Sequence, residues 1–436
     1  MTPAPSPIPS RFPAVVGDQA SYVLREVADQ QVRMVLSFSG RLDEERLARA
    51  VRLTLDAEPV LGCRFVERAF KPFWQRRDDL DEVGLGSVEK AGTAGSKTEP
   101  SPLVLDFLTA PSDPGTDPLV QYRLVRGRAD TLCLRLDHAV GDAAGLKDYA
   151  YLLATTYRRL GANHGFIPAP NVNADRGLRR ILKQYSLASQ RAAMRRSSAP
   201  RARWFYPWKG DDRGGRRFAA RTLSVDRLTA VRALGIARRA TVNDVLLTAY
   251  HRALSALTDQ PAGVPLAVQV PVDLRHYLPQ ERAGTVCNLS AMMYPAVPTY
   301  PSESFDDTLA AVVAETGRLK QGDVAVGVAA GLAVLFGAGF AVGRRALTRM
   351  FALPRSGFAN PILSNTGIID ADRLAFDGVA VKHAYVATPV EYPPGVLLGV
   401  SSFAGTLTLS LGYCEASCPR ADIERLLDLI VAELPA

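Results

Sequence analysis

Residues 131–143 read TLCLRLDHAVGDA, and the change of pattern inside this stretch decides how the chain is interpreted. The first six residues alternate as in a half-buried β-strand. Beyond the stretch, apolar side chains recur at helical spacing, at Leu146, Tyr149, Leu153, Tyr157 and Leu160. The sequence therefore predicts that His138 lies on a loop between a strand and a helix, with Asp142 four positions later.

A histidine on such a loop is a candidate for chemistry, because strand-end loops commonly host functional side chains. Unprotonated near neutral pH, the ring can act as a general base. The nearby Asp142 carboxylate can turn inward and hold the local backbone if a cation receives it. A single His-x3-Asp pattern also has structural explanations, so the rest of the chain must supply that cation.

The bulk properties indicate a globular protein of more than one unit. The chain has 436 residues, of which 47% are hydrophobic and 22% charged, and this predicts two lobes with a cleft between them. The five cysteines form neither a paired framework nor a four-ligand spacing, so disulfides and zinc are not implied. The N-terminus lacks the basic start and apolar core of a signal peptide, so we expect a cytoplasmic protein.

The net charge of +8 is unevenly distributed along the chain. Residues 176–217 contain 13 lysines and arginines against two aspartates, and the remainder is slightly acidic. Such a segment either attracts phosphate groups, acidic proteins or anionic surfaces, or forms a solvated linker. We expect an N-terminal lobe over 1–175, a basic connection over 176–217 and a C-terminal lobe over 218–436.

Alternating strands and helices are predicted in both halves, which indicates an α/β or α+β fold. The predicted strands are 32–39, 60–66, 217–223, 264–272, 396–403 and 406–413. The predicted helices begin after Asp43, after Asp142, at Asp226, at Thr241 and at Pro419. Because 264–272 is a long apolar run, it indicates one buried strand that ends in Asp273-Leu274-Arg275. Residues 91–101 are predicted to form a surface loop.

Other motif classes are not supported. The apolar run 324–343 is interrupted by glycines and indicates a buried or lid-like helix pair rather than a membrane span. Gly337-Ala338-Gly339 does not continue into a dinucleotide fingerprint. The chain also lacks a Gly-x-Ser-x-Gly elbow and a phosphate loop, which argues against a serine hydrolase and a nucleoside triphosphatase.

Several segments together resemble the chloramphenicol-acetyltransferase-like superfamily. The histidine block resembles its HHxxxDG motif, and 36–43 with Pro59-Val60-Leu61 looks like the start of these proteins. The later matches are Thr241-Val242-Asn243-Asp244, Pro271-Val272-Asp273-Leu274-Arg275 and Ser364-Asn365-Thr366-Gly367. The superfamily includes peptide-synthetase condensation domains, polyketide-associated acyltransferases and wax-ester or diacylglycerol synthases.

The resemblance implies two lobes in a V, with a tunnel between them for acyl donor and acceptor. Carried over by position, His138 is the catalytic base, and Arg275 is the basic residue that pairs with the structural aspartate, Asp142. The resemblance also implies that Asp137 and Gly141 support the active-site loop. Ser364 and Asn365 are weaker candidates for binding the oxyanion or the substrate.

The chain departs from the motif at two positions. Asp137 stands where the first histidine usually lies, and Ala143 replaces the motif glycine. Asp137 could hold the His138 ring or pack against backbone amides. Neither change removes the base, but both leave room for a specialised or inactive variant.

The resemblance implies an acyltransferase that uses a coenzyme A or carrier-protein thioester and a small alcohol or amine acceptor, in secondary-metabolite or lipid biosynthesis. No tightly bound cofactor, metal, nucleic-acid partner or transmembrane segment is expected. One alternative is a free-standing condensation enzyme that joins carrier-bound substrates. Another is a non-catalytic, condensation-like protein that docks a carrier.

Overall fold

The computed structural model describes residues 7–91, 101–202, 208–258, 261–300, 302–352 and 359–435. Within these ranges the fold is mixed α/β, with two main sheets covered by helices. The strands are β1 Arg11–Pro13, β2 Gln31–Phe38, β3 Cys63–Val66, β4 Phe73–Arg76, β5 Gly86–Lys90, β6 Val120–Arg126, β7 Thr131–Asp137, β8 Arg216–Leu223, β9 Leu266–Ala267, β10 Val270–Asp273, β11 Ser290–Met293, β12 Ala296–Val297, β13 Ile362–Ile369, β14 Val381–Ala387, β15 Leu397–Phe403 and β16 Thr406–Cys414. The helices are α1 Val16–Leu24, α2 Glu44–Ala57, α3 Pro102–Thr109, α4 Ala143–Ala162, α5 Arg179–Leu182, α6 Leu187–Arg196, α7 Val225–Ala237, α8 Val242–Thr258, α9 Phe305–Gln321, α10 Val324–Gly337, α11 Phe340–Ala352 and α12 Arg420–Glu433.

The first sheet has five strands in the order β14-β2-β7-β6-β5. All neighbours are antiparallel except β5 and β6, which are parallel. Successive residues of β7 face opposite sides of the sheet. Leu132, Leu134 and Leu136 therefore pack into the core shared with α2 and α4, while Cys133 belongs to a separate cluster with α3 on the other side. This alternation fixes which residues of β7 face α2 and α4 at the point where the strand leads into the His138 loop.

The second sheet has four strands in the order β13-β15-β16-β8. β15 and β16 form the predicted hairpin, which turns at Ala404 and Gly405 with φ of 46° and 84°. β13 is parallel to β15, and β8 is antiparallel to β16. Helices α7, α8 and α12 contribute with this sheet to a second hydrophobic core, which is distinct from the core of the first sheet.

Strand β14 belongs to the first sheet, although its sequence lies in the predicted C-terminal lobe. It is antiparallel to β2. Val386 on β14 donates its N–H to Ser401 Oγ and accepts from Ser410 Oγ, each at 3.1 Å, so side chains of β15 and β16 hold it against the second sheet. The range 218–436 therefore does not correspond to one sheet. The backbone N–H and C=O groups of β14 could pair with any open strand edge, so the local sequence pattern does not encode that β2 is its partner.

Most predicted elements are present with shifted ends. The strand at 32–39 is β2, and the helix after Asp43 is α2, whose first turn is capped by Asp43 through Arg46 N. The strand predicted at 60–66 begins instead as a 3-10 helix, Pro59–Gly62, before β3. Most of the loop predicted at 91–101 lies outside the described residues.

The single strand predicted at 264–272 is wrong. β9 and β10 are separate, and they pair with β12 and β11 respectively. Between them, Gln269 bridges to Ile362 at the start of β13. The chain therefore changes its pairing strand within the apolar run. An apolar run indicates that a segment is buried, but it does not indicate which strand pairs with it.

The apolar run 324–343 forms α10 and the start of α11, as the predicted helix pair requires. In the part of the chain that the structure describes, no single helix is long and apolar enough to cross a membrane. Helices α9 and α10 meet that criterion only when taken together across a bend of 50°.

Candidate functional site

The loop between β7 and α4 holds His138 at a fixed position. His138 N donates to Gln30 O at 2.9 Å, and the preceding residue, Asp137, donates from N to Leu119 O at 2.9 Å. The imidazole is half-buried, and its Nδ1 atom is buried without a hydrogen-bond partner among the described residues. The ring nitrogen left for a ligand is therefore Nε2.

Asp142 and Arg275 form a buried bidentate ion pair. Arg275 Nη1 lies 3.0 Å from Asp142 Oδ2, and Nη2 lies 3.0 Å from Oδ1. The same carboxylate caps α4 by accepting from Gly145 N and also accepts from Leu289 N, both at 2.8 Å. Arg275 donates further to Cys287 O at 2.9 Å. The structure thus joins the end of the His138 loop to two distant segments of the second half of the chain.

Both members of this pair are held in their charged forms. Burial acts to raise the pKa of Asp142, but Arg275 and the N–H groups of Gly145 and Leu289 outweigh it and leave this pKa below its ordinary value. Burial opposes the charge on Arg275, yet Asp142 raises the pKa of the guanidinium. A buried pair with two parallel hydrogen bonds permits one relative geometry, so it fixes the loop as well as neutralising the charges.

A second buried ion pair, which the sequence did not reveal, holds the middle of the loop. Arg176 Nη1 and Nη2 lie 2.7 and 3.0 Å from the two carboxylate oxygens of Asp18. The same guanidinium donates to Val140 O at 2.7 Å and to Val286 O at 3.0 Å. Trp74 Nε1 also donates to Asp18, at 2.7 Å. The sequence placed Arg176 at the start of the basic connection, but the residue is only 6% exposed.

Residues 286–289 pack directly against the loop. Asn288 Nδ2 donates to Ala139 O at 3.0 Å. A Cβ on Gly141 would lie 2.9 Å from side-chain atoms of Leu136 and Val286, and a Cβ on Gly145 would lie 3.0 Å from Cys287 O. Both glycines therefore lie in tight surroundings, where Gly141 faces side-chain ends and Gly145 faces a backbone carbonyl.

We predict that Gly145→Ala destabilises the protein and lowers activity. The added methyl group would push the 287 backbone away from the Asp142–Arg275 pair, because the group that it meets is a carbonyl rather than a flexible side chain. Gly317→Ala is the matched control in the interior of α9, where a Cβ meets nothing within 4 Å. That control should stabilise by about 0.5–1 kcal/mol, as urea unfolding would measure. Equal effects of the two substitutions would contradict the close approach.

Asp137, which stands at the first-histidine position, is bound to its own loop and to β2. Its carboxylate accepts from Ala139 N at 2.9 Å and from Gln31 Nε2 at 2.7 Å. Burial raises its pKa to about 6, although these two hydrogen bonds act in the opposite direction. Of the two roles considered from the sequence, the observed contacts match packing against a backbone amide, and no hydrogen bond to the His138 ring occurs within the described residues.

Asp137 makes stability depend on pH. Because folding raises its pKa from 3.8 to about 6, proton binding stabilises the fold below the lower value, and this stabilisation is lost as the pH rises through the higher one. Asp137→Asn mimics the neutral carboxyl. Its free energy of unfolding, relative to that of the wild type, should rise by up to roughly 3 kcal/mol between about pH 4 and pH 7. Urea unfolding across this range measures the difference, with exposed Asp372→Asn as control. A pH-independent difference would contradict the prediction.

Ser364 and Asn365 lie on β13, opposite Gly399 and Val400 of β15. Asn365 Oδ1 accepts from Gly367 N at 3.0 Å, at a bulge where Gly367 has φ of 73°. Neither side chain makes a hydrogen bond to His138 in the described ranges. The structure therefore brings together Asp137, His138, Gly141, Asp142 and Arg275, and places the two β13 residues on a separate element.

Lys147 connects that separate element to the His138 loop. It lies in the second turn of α4 and donates to Thr366 O at 2.5 Å and to Ile368 O at 3.3 Å. Burial lowers the pKa of this ammonium, while nearby Asp273 and Asp148 favour its charge. Helix α4 is thus anchored at its start by Arg275 and one turn later on the bulge of β13.

A cavity of about 600 Å³ adjoins the Asp142–Arg275 pair. Its lining includes residues of α4, of the segment after β10, of the segment after β13 and of the β15–β16 turn. The charged side chains around it are of both signs: Lys147, Arg275, Arg282 and Arg373 against Asp148, Asp273, Glu281 and Asp370. The described residues contain no group of three or more histidine, cysteine or acidic side chains arranged to hold a metal ion.

The residues that sequence reasoning missed are Asp18, Arg176, Asn288 and Lys147. The charge of Arg176 was visible in the sequence, but the neighbouring arginines made the residue look like part of a solvated basic segment. Asn288 and Lys147 act through backbone carbonyls, and any chain segment supplies carbonyls. Their roles could be found only once the segments 286–289 and 364–368 were placed beside the loop.

No family model matches the chain, and neither does any curated protein sequence. Solved structures do match it over nearly its whole length. Trichothecene 15-O-acetyltransferase from Fusarium sporotrichioides has a TM-score of 0.71 at 13% identity, covering 99% of each chain. The first condensation domain of the calcium-dependent antibiotic synthetase has a TM-score of 0.69 at 16% identity, covering 97% of this chain and 95% of that one.

Polyketide synthase associated protein 5 from Mycobacterium tuberculosis matches with a TM-score of 0.64 at 16% identity, covering 96% of this chain and 98% of that one. These likenesses confirm, at the level of the fold, the resemblance that the sequence motifs indicated. The chain has the two-lobed fold shared by condensation domains and chloramphenicol-acetyltransferase-like acyltransferases.

Proposed function

We propose that this chain, built on the condensation-domain fold, is an acyltransferase that moves an acyl group from a coenzyme A or carrier-protein thioester to a hydroxyl or amine, in secondary-metabolite or lipid biosynthesis. His138 is the general base of this reaction. Asp142, Arg275, Asp137 and Gly141 are positioning residues that hold its loop.

One observation carries the proposal: a half-buried histidine with one enclosed ring nitrogen lies on a loop held by two buried ion pairs. Asp142–Arg275 holds the end of the loop, and Asp18–Arg176 holds Val140 in its middle. Such a loop keeps the base in one place during reaction. General-base catalysis requires this, because the proton must be taken over a hydrogen-bond distance.

The proposed reaction proceeds by direct attack. Nε2 of His138 takes the proton of the acceptor O–H or N–H as the acceptor atom bonds to the thioester carbonyl carbon. The tetrahedral intermediate then collapses, the carbon–sulfur bond breaks, and the imidazolium returns the proton to the leaving thiolate. No covalent acyl-enzyme is needed.

The developing oxyanion requires hydrogen-bond donors. Asn365 is a candidate because Gly367 N occupies its Oδ1, which leaves the Nδ2 hydrogens free to donate. The Ser364 hydroxyl is the second candidate. An anionic donor is supported by the arginines of 176–217 that remain at the surface, since both coenzyme A and carrier proteins are negatively charged.

A free-standing condensation enzyme is the second candidate function, and it is favoured by the likeness to a synthetase condensation domain. The departure at Asp137 supports a third candidate, a carrier-docking protein without turnover. These candidates differ in whether the acceptor is free or carrier-bound and in whether product forms.

The test compares thioester forms in one assay. Acetyl, octanoyl and palmitoyl groups are supplied on coenzyme A and on a phosphopantetheinylated carrier protein, with octanol and octylamine as acceptors, and products are identified by mass spectrometry. Transfer to free octanol or octylamine from either thioester form supports the proposed acyltransferase. Product that forms only when a second loaded carrier supplies the acceptor amine would assign condensation, and carrier binding without product from any donor would overturn catalysis.

A further inference from the structure

Helix α11 and the loop beside it form an exposed apolar face. Of the ten large hydrophobic residues exposed in the described part of the chain, three lie here: Phe70, Val342 and Met350, at 60%, 53% and 56% exposure. The other seven lie elsewhere in the fold, two of them, Val225 and Ile236, on α7. We call the surface formed by Phe70, Val342, Met350 and the cations beside them the α11 face. An exposed apolar cluster on one side of a molecule is a mark of an interaction surface.

The α11 face is basic as well as apolar. Arg68, Lys71, Arg344, Arg345 and Arg349 are all exposed on it. Among the described residues that line the cavity there, two are acidic, Glu26 and Glu67, and both are near Arg344, with Glu67 bonded to it at 2.9 Å. The face therefore carries net positive charge at neutral pH.

The period of the helix places cations and apolar side chains of α11 on the same side. Positions 342, 345 and 349 are separated by three and four residues, so Val342, Arg345 and Arg349 point in similar directions. Phe340 and Leu347 lie on the opposite, buried side and belong to the first core. The α11 face is therefore the solvent-exposed side of a helix whose other side packs into the first core.

Hydrogen bonds hold the two parts of the face together. Ala341 N donates to Ala69 O at 2.8 Å, and Phe340 N donates to Phe70 O at 3.1 Å. The start of α11 is thus tied to the loop that carries Phe70, and the surface does not need to be assembled on binding.

A cavity of about 600 Å³ opens between this loop and α11. Four arginines line it, Arg68, Arg344, Arg345 and Arg349, together with Glu26 and Glu67. Guanidinium groups suit phosphate because their N–H donors match its oxygens. Its lining also includes Ala69 and Ala341, which join the loop that carries Phe70 to the start of α11.

We propose that the α11 face binds the surface of a bilayer that contains anionic phospholipid. Arginines in and beside the cavity bind lipid phosphates, while Phe70, Val342 and Met350 enter the boundary between headgroups and acyl chains. Peripheral membrane binding combines these two contributions, buried apolar area and attraction of cations to anionic lipid. A bilayer supplies both phosphates for the guanidinium groups and acyl chains for the apolar side chains, which favours it over an acidic protein. The inference does not depend on the proposed catalytic function.

Sedimentation of the full chain with vesicles tests the proposal. We expect recovery with phosphatidylcholine vesicles that contain phosphatidylglycerol and little recovery with phosphatidylcholine alone. Arg345→Ser with Arg349→Ser should lower the partition coefficient on the order of 20-fold, since each cation near an anionic surface contributes about fivefold. Val342→Ser with Met350→Ser should also lower it, and added salt should weaken binding of the wild type.

Matched controls separate the α11 face from charge in general. Arg232→Ser with Arg425→Ser removes two exposed arginines from α7 and α12, and Ile236→Ser removes the most exposed apolar side chain of α7. These variants should bind vesicles like the wild type, and all variants should keep the wild-type urea midpoint. Equal recovery with neutral and anionic vesicles, or equal losses in the controls, would overturn the proposal. Binding of inorganic phosphate or polyglutamate without vesicle recovery would also overturn it.

Discussion

Replacement of His138 by glutamine is expected to lower the rate of acyl transfer by about 10²–10⁴-fold, the usual contribution of a general base. Glutamine has a similar reach but cannot take the acceptor proton. Folding should be unaffected, because the ring makes no side-chain hydrogen bond among the described residues. The measurement is the initial rate of product formation with the thioester that the wild type uses best, alongside a urea unfolding curve.

The control for this substitution is His164→Gln. His164 is exposed on the turn after α4, so its loss should leave the rate unchanged. If His138→Gln keeps wild-type turnover, His138 is not the base and the proposed mechanism is wrong. If it loses turnover together with the fold, the ring has a packing role that the observed contacts do not indicate.

Removal of one member of the Asp142–Arg275 pair should have the largest effect on stability. Arg275→Met is expected to lower the free energy of unfolding by about 3–5 kcal/mol, since it leaves a buried carboxylate without its cation. Asp142→Asn should act in the same direction while keeping the cap of α4, because asparagine is also a favourable N-cap residue. Both variants should reduce activity, because the His138 loop loses its anchor.

The double variant Asp142→Asn with Arg275→Met distinguishes a pair from two independent sites. It should be less destabilised than the sum of the single variants, because no unpaired charge remains. Arg217→Met is the control, since its pair with Glu415 is 44% and 43% exposed and should contribute only about 0–1 kcal/mol. A loss for Arg275→Met as small as that of the control would refute a structural role for the buried pair.

The sequence predicted much of the site because its signals are local. The alternation of β7, the helical spacing after Asp142 and the helix start after Asp43 each depend on neighbours within a few residues, and the structure contains all three. Arg275 was assigned to Asp142 through the resemblance of Pro271-Val272-Asp273-Leu274-Arg275 to a superfamily motif. The structure places the two side chains together, although the apolar run before Arg275 is two short strands.

The contacts that complete the site could not be predicted in this way. Arg176 lies among other arginines in sequence, and only the folded chain shows that it is turned inward to Asp18 and Val140. Strand β14 pairs with β2 across more than 340 positions, and Lys147 reaches carbonyls more than 200 positions away. A backbone carbonyl or a free strand edge has no distinguishing residue type, so sequence carries little record of which one is used.

By itself the sequence determined the approximate positions of β2, β7, α2 and α4 and which face of each is apolar, because side-chain period and capping chemistry act over a few residues. It also determined that His138 follows a strand and that Asp142 lies four positions later. The tertiary structure alone decided which segments meet around that histidine. Partner choice depends on shape, burial and the satisfaction of backbone groups in the whole assembled chain, and these exist only once the two sheets are packed together.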